Sequence, residues 1–130
     1  MRRRRDWRFL LLAIALALGA AASAAAGGNV DEMFAEARQL AFAGKHAEAR
    51  KLANEVLEMA PDYLEVRIFL ARLDGWDGDY EAAARRLEAI LAEYPDSLEA
   101  RLALADVRIW QGALEKAAAE CRRVLALDPA

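Results

Sequence analysis

GDYEAAARRLEAILAEYPD, residues 78–96, carries Tyr80, Ala83, Ala84, Leu87, Ile90 and Leu91 at steps of three, one, three, three and one. That spacing lays the apolar residues along one face of an α-helix, and the proline behind them stops it. The stretch occurs twice more in the chain. GKHAEARKLANEVLEMAPD at 44–62 and GALEKAAAECRRVLALDPA at 112–130 align with it without a gap. Pro61, Pro95 and Pro129 are thus spaced 34 residues apart both times. Gly44, Gly78 and Gly112 share one phase, and Ala49, Ala83 and Ala117 another. A fixed period of this length marks stacked supersecondary units rather than a single closed core.

Each unit divides at its glycine. In the second unit the front half places Val66, Phe69, Leu70 and Leu73 on one helical face, and the rear half is the stretch above. The glycine permits the reversal between the two helices. Small residues Ala37, Ala71 and Ala105 recur in the front half, where the partner helix must approach closely. After each proline, Asp62 with Glu65, and Asp96 with Glu99, read as an N-cap and a following glutamate for the next front helix. The expected fold is all-α: an α-solenoid of three helix-turn-helix repeats, at 30–63, 64–97 and 98–130, behind a short linker at 25–29.

The segment DGWDGDY, residues 74–80, tests this reading because its aspartates suggest a calcium loop. Asp77, Asp79, Glu81 and Glu88 fall at positions 1, 3, 5 and 12 of an EF-hand count. Position 6, where the loop needs glycine, is Ala82, and the residues that follow have helical spacing. The segment is the turn between two antiparallel helices, and no metal is expected.

This pattern resembles the tetratricopeptide repeats. The 34-residue period, the small residues at position 8 of each unit, glycine at 15, Tyr80 at 17, alanine at 20 and proline at 32 agree with that family over residues 30–130. Departures occur at position 4 (Met33, Arg67, Arg101), at position 11 (Asp74, Arg108) and at position 17 (His46, Leu114). The resemblance implies a groove lined by the front helices. Its positions 2, 5, 9, 12 and 13 correspond to Asp31, Glu65 and Glu99; Phe34, Ile68 and Leu102; Arg38, Arg72 and Asp106; Ala41, Gly75 and Ile109; and Phe42, Trp76 and Trp110. The implied partner-binding residues are Phe34, Arg38, Phe42, Ile68, Arg72, Trp76, Leu102 and Trp110. The aromatic stripe of Phe42, Trp76 and Trp110 either stacks on a peptide segment or sugar rings, or plugs each front helix against the next unit. Arg38 and Arg72 read as solvated or paired with neighbouring carboxylates. The carboxylate clamp of chaperone-binding relatives is not expected, because acids stand at position 2 and Ala35, Phe69 and Ala103 at position 6.

Residues 1–24 differ in kind from the repeats. A run of arginines, an apolar stretch from Phe9 to Leu18 and the small residues Ala22-Ser23-Ala24 form the pattern of a secretory signal peptide. The apolar stretch is shorter than the roughly 20 residues of a spanning helix, although the alanines behind it could extend it into a retained anchor. The expectation is an exported, periplasmic chain whose only link to the membrane is this signal or anchor. Without it, 13 basic and 20 acidic residues leave a net charge of −7. Such a domain repels phosphate backbones, so nucleic acid is not an expected partner.

The inventory does not assemble a catalytic site. Threonine is absent, serine occurs only at 23 and 97, and His46 and Cys121 are unique. Ser97 stands at a helix start, His46 reads as a partly buried helix residue, and Cys121, in register with Leu87, as a core filler. A non-enzymatic exported protein-interaction scaffold of the bacterial cell envelope, without cofactor, is the expectation. ARLDGWDGDYEAA and LADVRIWQGALEKA, with tryptophan just ahead of the turn glycine, resemble repeats of YaiO-like outer-membrane barrel and polysaccharide-export proteins. That resemblance implies outer-membrane or exopolysaccharide-secretion assembly. The alternatives are a periplasmic adaptor for cytochrome or envelope-complex biogenesis, and a structural module that self-associates. Val124, Leu125 and Leu127 in the last helix call for a cover: a continuation, a second copy or a partner, and self-association through this helix is the expected outcome for the isolated domain.

Overall fold

The computed structural model describes residues 29–128. The expected signal sequence and Pro129 lie outside them. Six helices follow in order: α1 (Val30–Phe42), α2 (His46–Met59), α3 (Leu64–Trp76), α4 (Tyr80–Glu93), α5 (Leu98–Trp110) and α6 (Leu114–Leu127). They pair as α1 with α2, α3 with α4 and α5 with α6, and each pair stacks on the one before it. This is the α-solenoid of three helix-turn-helix units read from the period.

The turn within each unit is built the same way. Gly44, Gly78 and Gly112 have φ of 78°, 87° and 73°. In this left-handed conformation the chain closes two hydrogen bonds back onto the ending helix: in the first unit Gly44 N–H to the Ala41 carbonyl and Lys45 N–H to the Leu40 carbonyl. Asp79 to Asp74 and Ala113 to Arg108 repeat the longer bond. This is the Schellman arrangement, and it satisfies carbonyls that the helix end would leave bare.

Between units the aspartate caps differ from expectation, whereas Ser97 caps its helix as expected. The N-cap of α3 is Tyr63, whose side chain makes no cap bond, and that of α5 is Ser97, whose Oγ accepts from Ala100 N–H at 3.2 Å. Asp62 and Asp96 stand one residue too early. The tight turn at Pro61 and at Pro95, closed by Tyr63 N–H to Ala60 and Ser97 N–H to Tyr94, uses one residue more than the sequence pattern allows for.

Two apolar clusters hold the stack together. The first joins Phe34, Ala37 and Ala41 of α1 with Ala49, Ala53 and Val56 of α2 and Val66, Phe69, Leu70 and Leu73 of α3. The second joins Ile68 and Ala71 of α3 with α4 and with Ala100, Ala103, Leu104 and Val107 of α5. α3 therefore contributes one face to each cluster and is the central element of the fold. Its Ile68, 1% exposed, is sealed inside the second cluster. The expected groove position is corrected accordingly: the next unit covers it.

The last unit shows the converse. Leu102, in register with Ile68, is 46% exposed, and Cys121, in register with the fully buried Leu87, is exposed rather than a core filler. No described helix follows α6, so the face that buries Ile68 and Leu87 one unit earlier is uncovered here.

Candidate functional site

Five of the departures from the repeat pattern, Arg67, Arg101, Asp74, Arg108 and His46, fasten one helix to another. At position 4, Arg67 makes two parallel hydrogen bonds to Glu93, at 3.0 and 2.9 Å, and Arg101 reaches Glu120 at 3.1 Å and the Pro95 carbonyl at 2.7 Å. Both tie a front helix to the rear helix of its own unit. At position 11 the ties run between units. Asp74 accepts from Arg50 of the first unit at 2.5 Å, and Arg108 of the third unit pairs with Glu88 of the second. The other oxygen of Asp74 sits 2.7 Å from Arg86 Nε without hydrogen-bond geometry, so that contact is purely Coulombic.

Asp77, one turn further, accepts from His46 Nδ1 at 2.6 Å and from Arg50 at 2.9 Å. Those bonds, the one from His46 foremost, hold its carboxyl below the usual aspartate range. Asp79 caps α4 through Ala82 N–H. Every aspartate of DGWDGDY thus has a structural partner: two fasten unit two to unit one, and the third starts a helix.

A cleft of about 510 Å³ lies between the front helices of the first two units. Its walls bring together five of the sequence-expected residues, Phe34, Arg38, Phe42, Arg72 and Trp76, with Ala41, Glu65 and Glu99 from the other groove positions. Phe34 forms the floor, edge-on to Phe69 and Tyr63 with ring centres 5.5 Å apart. The Arg38 guanidinium lies over that ring at 4.8 Å, a cation–π contact that keeps the charge at the rim. Arg72 reaches Asp106 of the third unit at 3.5 Å, while Asp31 accepts from the Tyr63 hydroxyl instead of facing the cleft. Phe42 stands 88% exposed at one end, an aromatic ring held in water by a rigid helix.

Ile68, Leu102 and Trp110 do not join this cleft. Ile68 is inside the core and Leu102 faces the uncovered end. Trp110 lies over the backbone of Gly75, where an added Cβ would stand 2.7 Å from its Cζ3. That indole occupies the space between units two and three which, one unit earlier, is open. The two tryptophans of the aromatic stripe thus pack backward, against the preceding unit, while Phe42 stays exposed. Trp76 pairs with His46 and Trp110 with Tyr80, each with ring centres 6.2 Å apart. His46 and Phe69 are the cleft residues the sequence reading did not place there. The signal for His46 was available, since both ring pairs are 30 residues apart in the chain.

Among the described residues no group of three or more His, Cys, Asp or Glu is placed to hold a metal ion. The cleft offers aromatic surface, two guanidinium groups and two exposed carboxylates, which suits recognition of a side chain.

Comparison with known proteins agrees with the architecture. A family model described as tetratricopeptide repeat matches residues 77–130. MamA from Desulfovibrio magneticus RS-1, residues 41 to its end, superposes with a TM-score of 0.63 at 22% identity, over 78% of this chain and 57% of that one. A thermophilic TPR protein from Thermus thermophilus gives 0.68 at 20% identity, over 77% and 57%. A further MamA crystal structure gives 0.65 at 17% identity, over 78% and 59%. The chain spans less than two thirds of the length of these proteins, and at such identities the likeness is one of fold. No curated protein sequence matches the chain. Three stacked helix pairs, left-handed turn glycines and a family model over residues 77–130 agree in supporting a tetratricopeptide-repeat fold.

Proposed function

We propose that the chain is an exported interaction scaffold of the bacterial cell envelope that grips an apolar or aromatic side chain of a protein partner in the cleft between its first two units. The observation that carries this reading is Phe42. A phenylalanine 88% exposed at the mouth of a cleft already walled by Trp76 and floored by Phe34 costs solvation in the free chain and gains contact area only when something fills the cleft. The basic start, apolar stretch and small-residue tract of residues 1–24 support export, and the tryptophan-before-glycine phrases support work in outer-membrane or exopolysaccharide-secretion assembly.

A photo-crosslinking amino acid at position 42, introduced into cells that make the native chain, tests both parts. The expected result is a discrete adduct in the envelope fraction that is lost with Trp76→Ala and kept with Trp110→Ala, since only Trp76 lines the cleft. Adducts that ignore Trp76→Ala would overturn the cleft reading. A native product confined to the cytosol would overturn export.

A further inference from the structure

The cleft has two chemically different ends. The Tyr63 hydroxyl at the start of α3 donates to Asp31 at the start of α1, so these front helices lie side by side and run in the same direction. Their C-terminal ends bring Phe42 and Trp76 to the cleft, while the N-terminal ends of α3 and α5 bring Glu65 and Glu99. Glu65, Phe69, Arg72 and Trp76 fall at i, i+4, i+7 and i+11, along one face of α3. That span is about 16 Å of helix, with carboxylates at one end and aromatic rings at the other.

The charges along it are not balanced. Arg72 lies 3.5 Å from Asp106, and Asp31 is taken by Tyr63. Glu65 and Glu99 have no ion pair and no side-chain hydrogen bond among the described residues. Against them stands Arg38, over the Phe34 ring and likewise without a carboxylate in range. Two uncommitted acids thus face one uncommitted base.

We propose that the occupant of the cleft is an extended segment of a partner protein in which a lysine or arginine stands about five residues from an aromatic side chain, the spacing that covers 16 Å at about 3.3 Å per residue. The ring enters between Phe42 and Trp76, and the cation reaches Glu65 and Glu99. This inference rests on the cleft reading above and names the chemistry of its partner. A helix does not fit: about 10 Å across, it would fill about 1,300 Å³ over that length, against a cleft of about 510 Å³. The chain carries such pairs itself, Arg2 with Trp7 and Arg4 with Phe9, but they lie in the stretch that signal cleavage removes, which leaves the cleft to a partner.

The test titrates the native product, purified from cells that make the full chain, with the peptide acetyl-Lys-Gly-Ser-Gly-Ser-Trp-amide, with the reversed order, and with both carrying glutamate in place of lysine. Amide chemical shifts in NMR report binding. The expected result is saturable binding of a lysine peptide, about fivefold tighter at low salt than its glutamate counterpart, the scale of two exposed ion pairs. Glu65→Gln with Glu99→Gln removes that preference, and Glu65→Lys with Glu99→Lys reverses it. Both positions are exposed, so circular dichroism should show the variants folded. A preference untouched by these changes, with only the melting temperature lowered, would assign the glutamates to steadying their helix starts and overturn the proposal. Absence of saturable binding would overturn it as well.

In cells, the adduct from the probe at position 42 should map by mass spectrometry to a partner segment with this spacing, and its yield should fall about threefold with Glu65→Gln and Glu99→Gln together. A link within one chain to residues 2–9, or to a second copy, names a different occupant and overturns the proposal. An adduct that needs Trp76 but ignores both glutamates leaves the cleft reading standing and overturns this inference alone, whereas one that ignores Trp76 overturns both.

Discussion

Arg50 in the rear helix of the first unit donates to Asp74 in the front helix of the second at 2.5 Å, and Asp74 is only 6% exposed. A carboxylate buried at a junction between repeats depends on its partners more than they depend on it. Arg50→Ala leaves Asp74 facing Arg86 alone, a contact without hydrogen-bond geometry, and should cost about 1–3 kcal/mol. Asp74→Ala frees two arginines whose side chains are partly exposed and reach water, so its cost should be smaller. Asp74→Leu should come close to neutral, because apolar replacement of a buried ionic group removes the desolvation penalty with the charge. Urea unfolding of the three variants checks the order. Equal losses for Arg50→Ala and Asp74→Leu would contradict it.

Asp77 makes the same junction sensitive to acid. His46 and Arg50 hold its carboxyl below the ordinary aspartate value of about 3.9. A depressed carboxylate contributes stability in full above its unfolded value, and that contribution is lost as pH falls through the folded one. The native chain should therefore lose melting temperature below about pH 4 more steeply than Asp77→Asn, which has no proton to take up at this site. Thermal melts from neutral pH down to about 2.5 decide it. Because Asp77 is 40% exposed, the difference should shrink as salt is added.

The period and the turn glycines were legible because each acts locally: a helical stripe and a left-handed glycine need only their own neighbours. Burial was not legible in the same way. Phe34, Ile68 and Leu102 share one position in the repeat, yet they are cleft floor, sealed core and exposed end. Equivalent residues in a solenoid differ only in what the next unit places over them. Asp74 is the sharper case, since its partners Arg50 and Arg86 lie 24 residues before and 12 after it in sequence, and no periodicity links the three. The cleft was half legible. The groove positions name Phe34, Arg38, Phe42, Arg72 and Trp76, while His46, in register with Tyr80, reads from sequence only as a partly buried helix residue.

Trp110 over Gly75 gives a third test. A Cβ at position 75 would meet the indole at 2.7 Å, inside any tolerable contact, but Trp110 is 40% exposed and can swing outward. Gly75→Ala should thus shift tryptophan emission to the red and lower stability by about 1 kcal/mol or less, the strain of overpacking set against the helix propensity that alanine gains over glycine. With Trp110→Ala already in place only the propensity remains, so the same change should then stabilise. A double-mutant cycle by chemical denaturation reads the change of sign, and a loss of similar size in both backgrounds would show that the indole does not rest on this glycine.

Phe42 separates binding from folding more cleanly than either tryptophan. Its ring is 88% exposed and outside both apolar clusters' buried sets, so Phe42→Ala should leave stability within about 0.5 kcal/mol of the native chain. Trp76→Ala, by contrast, removes a ring that pairs with His46 and should cost about 1–2 kcal/mol while keeping the helical signal. If the cleft holds a partner's side chain, both variants lose the crosslinked adduct formed from a probe moved to position 38 at its rim. An adduct that survives Phe42→Ala would mean that this ring is exposed without a role in capture, and would remove the observation on which the cleft reading stands.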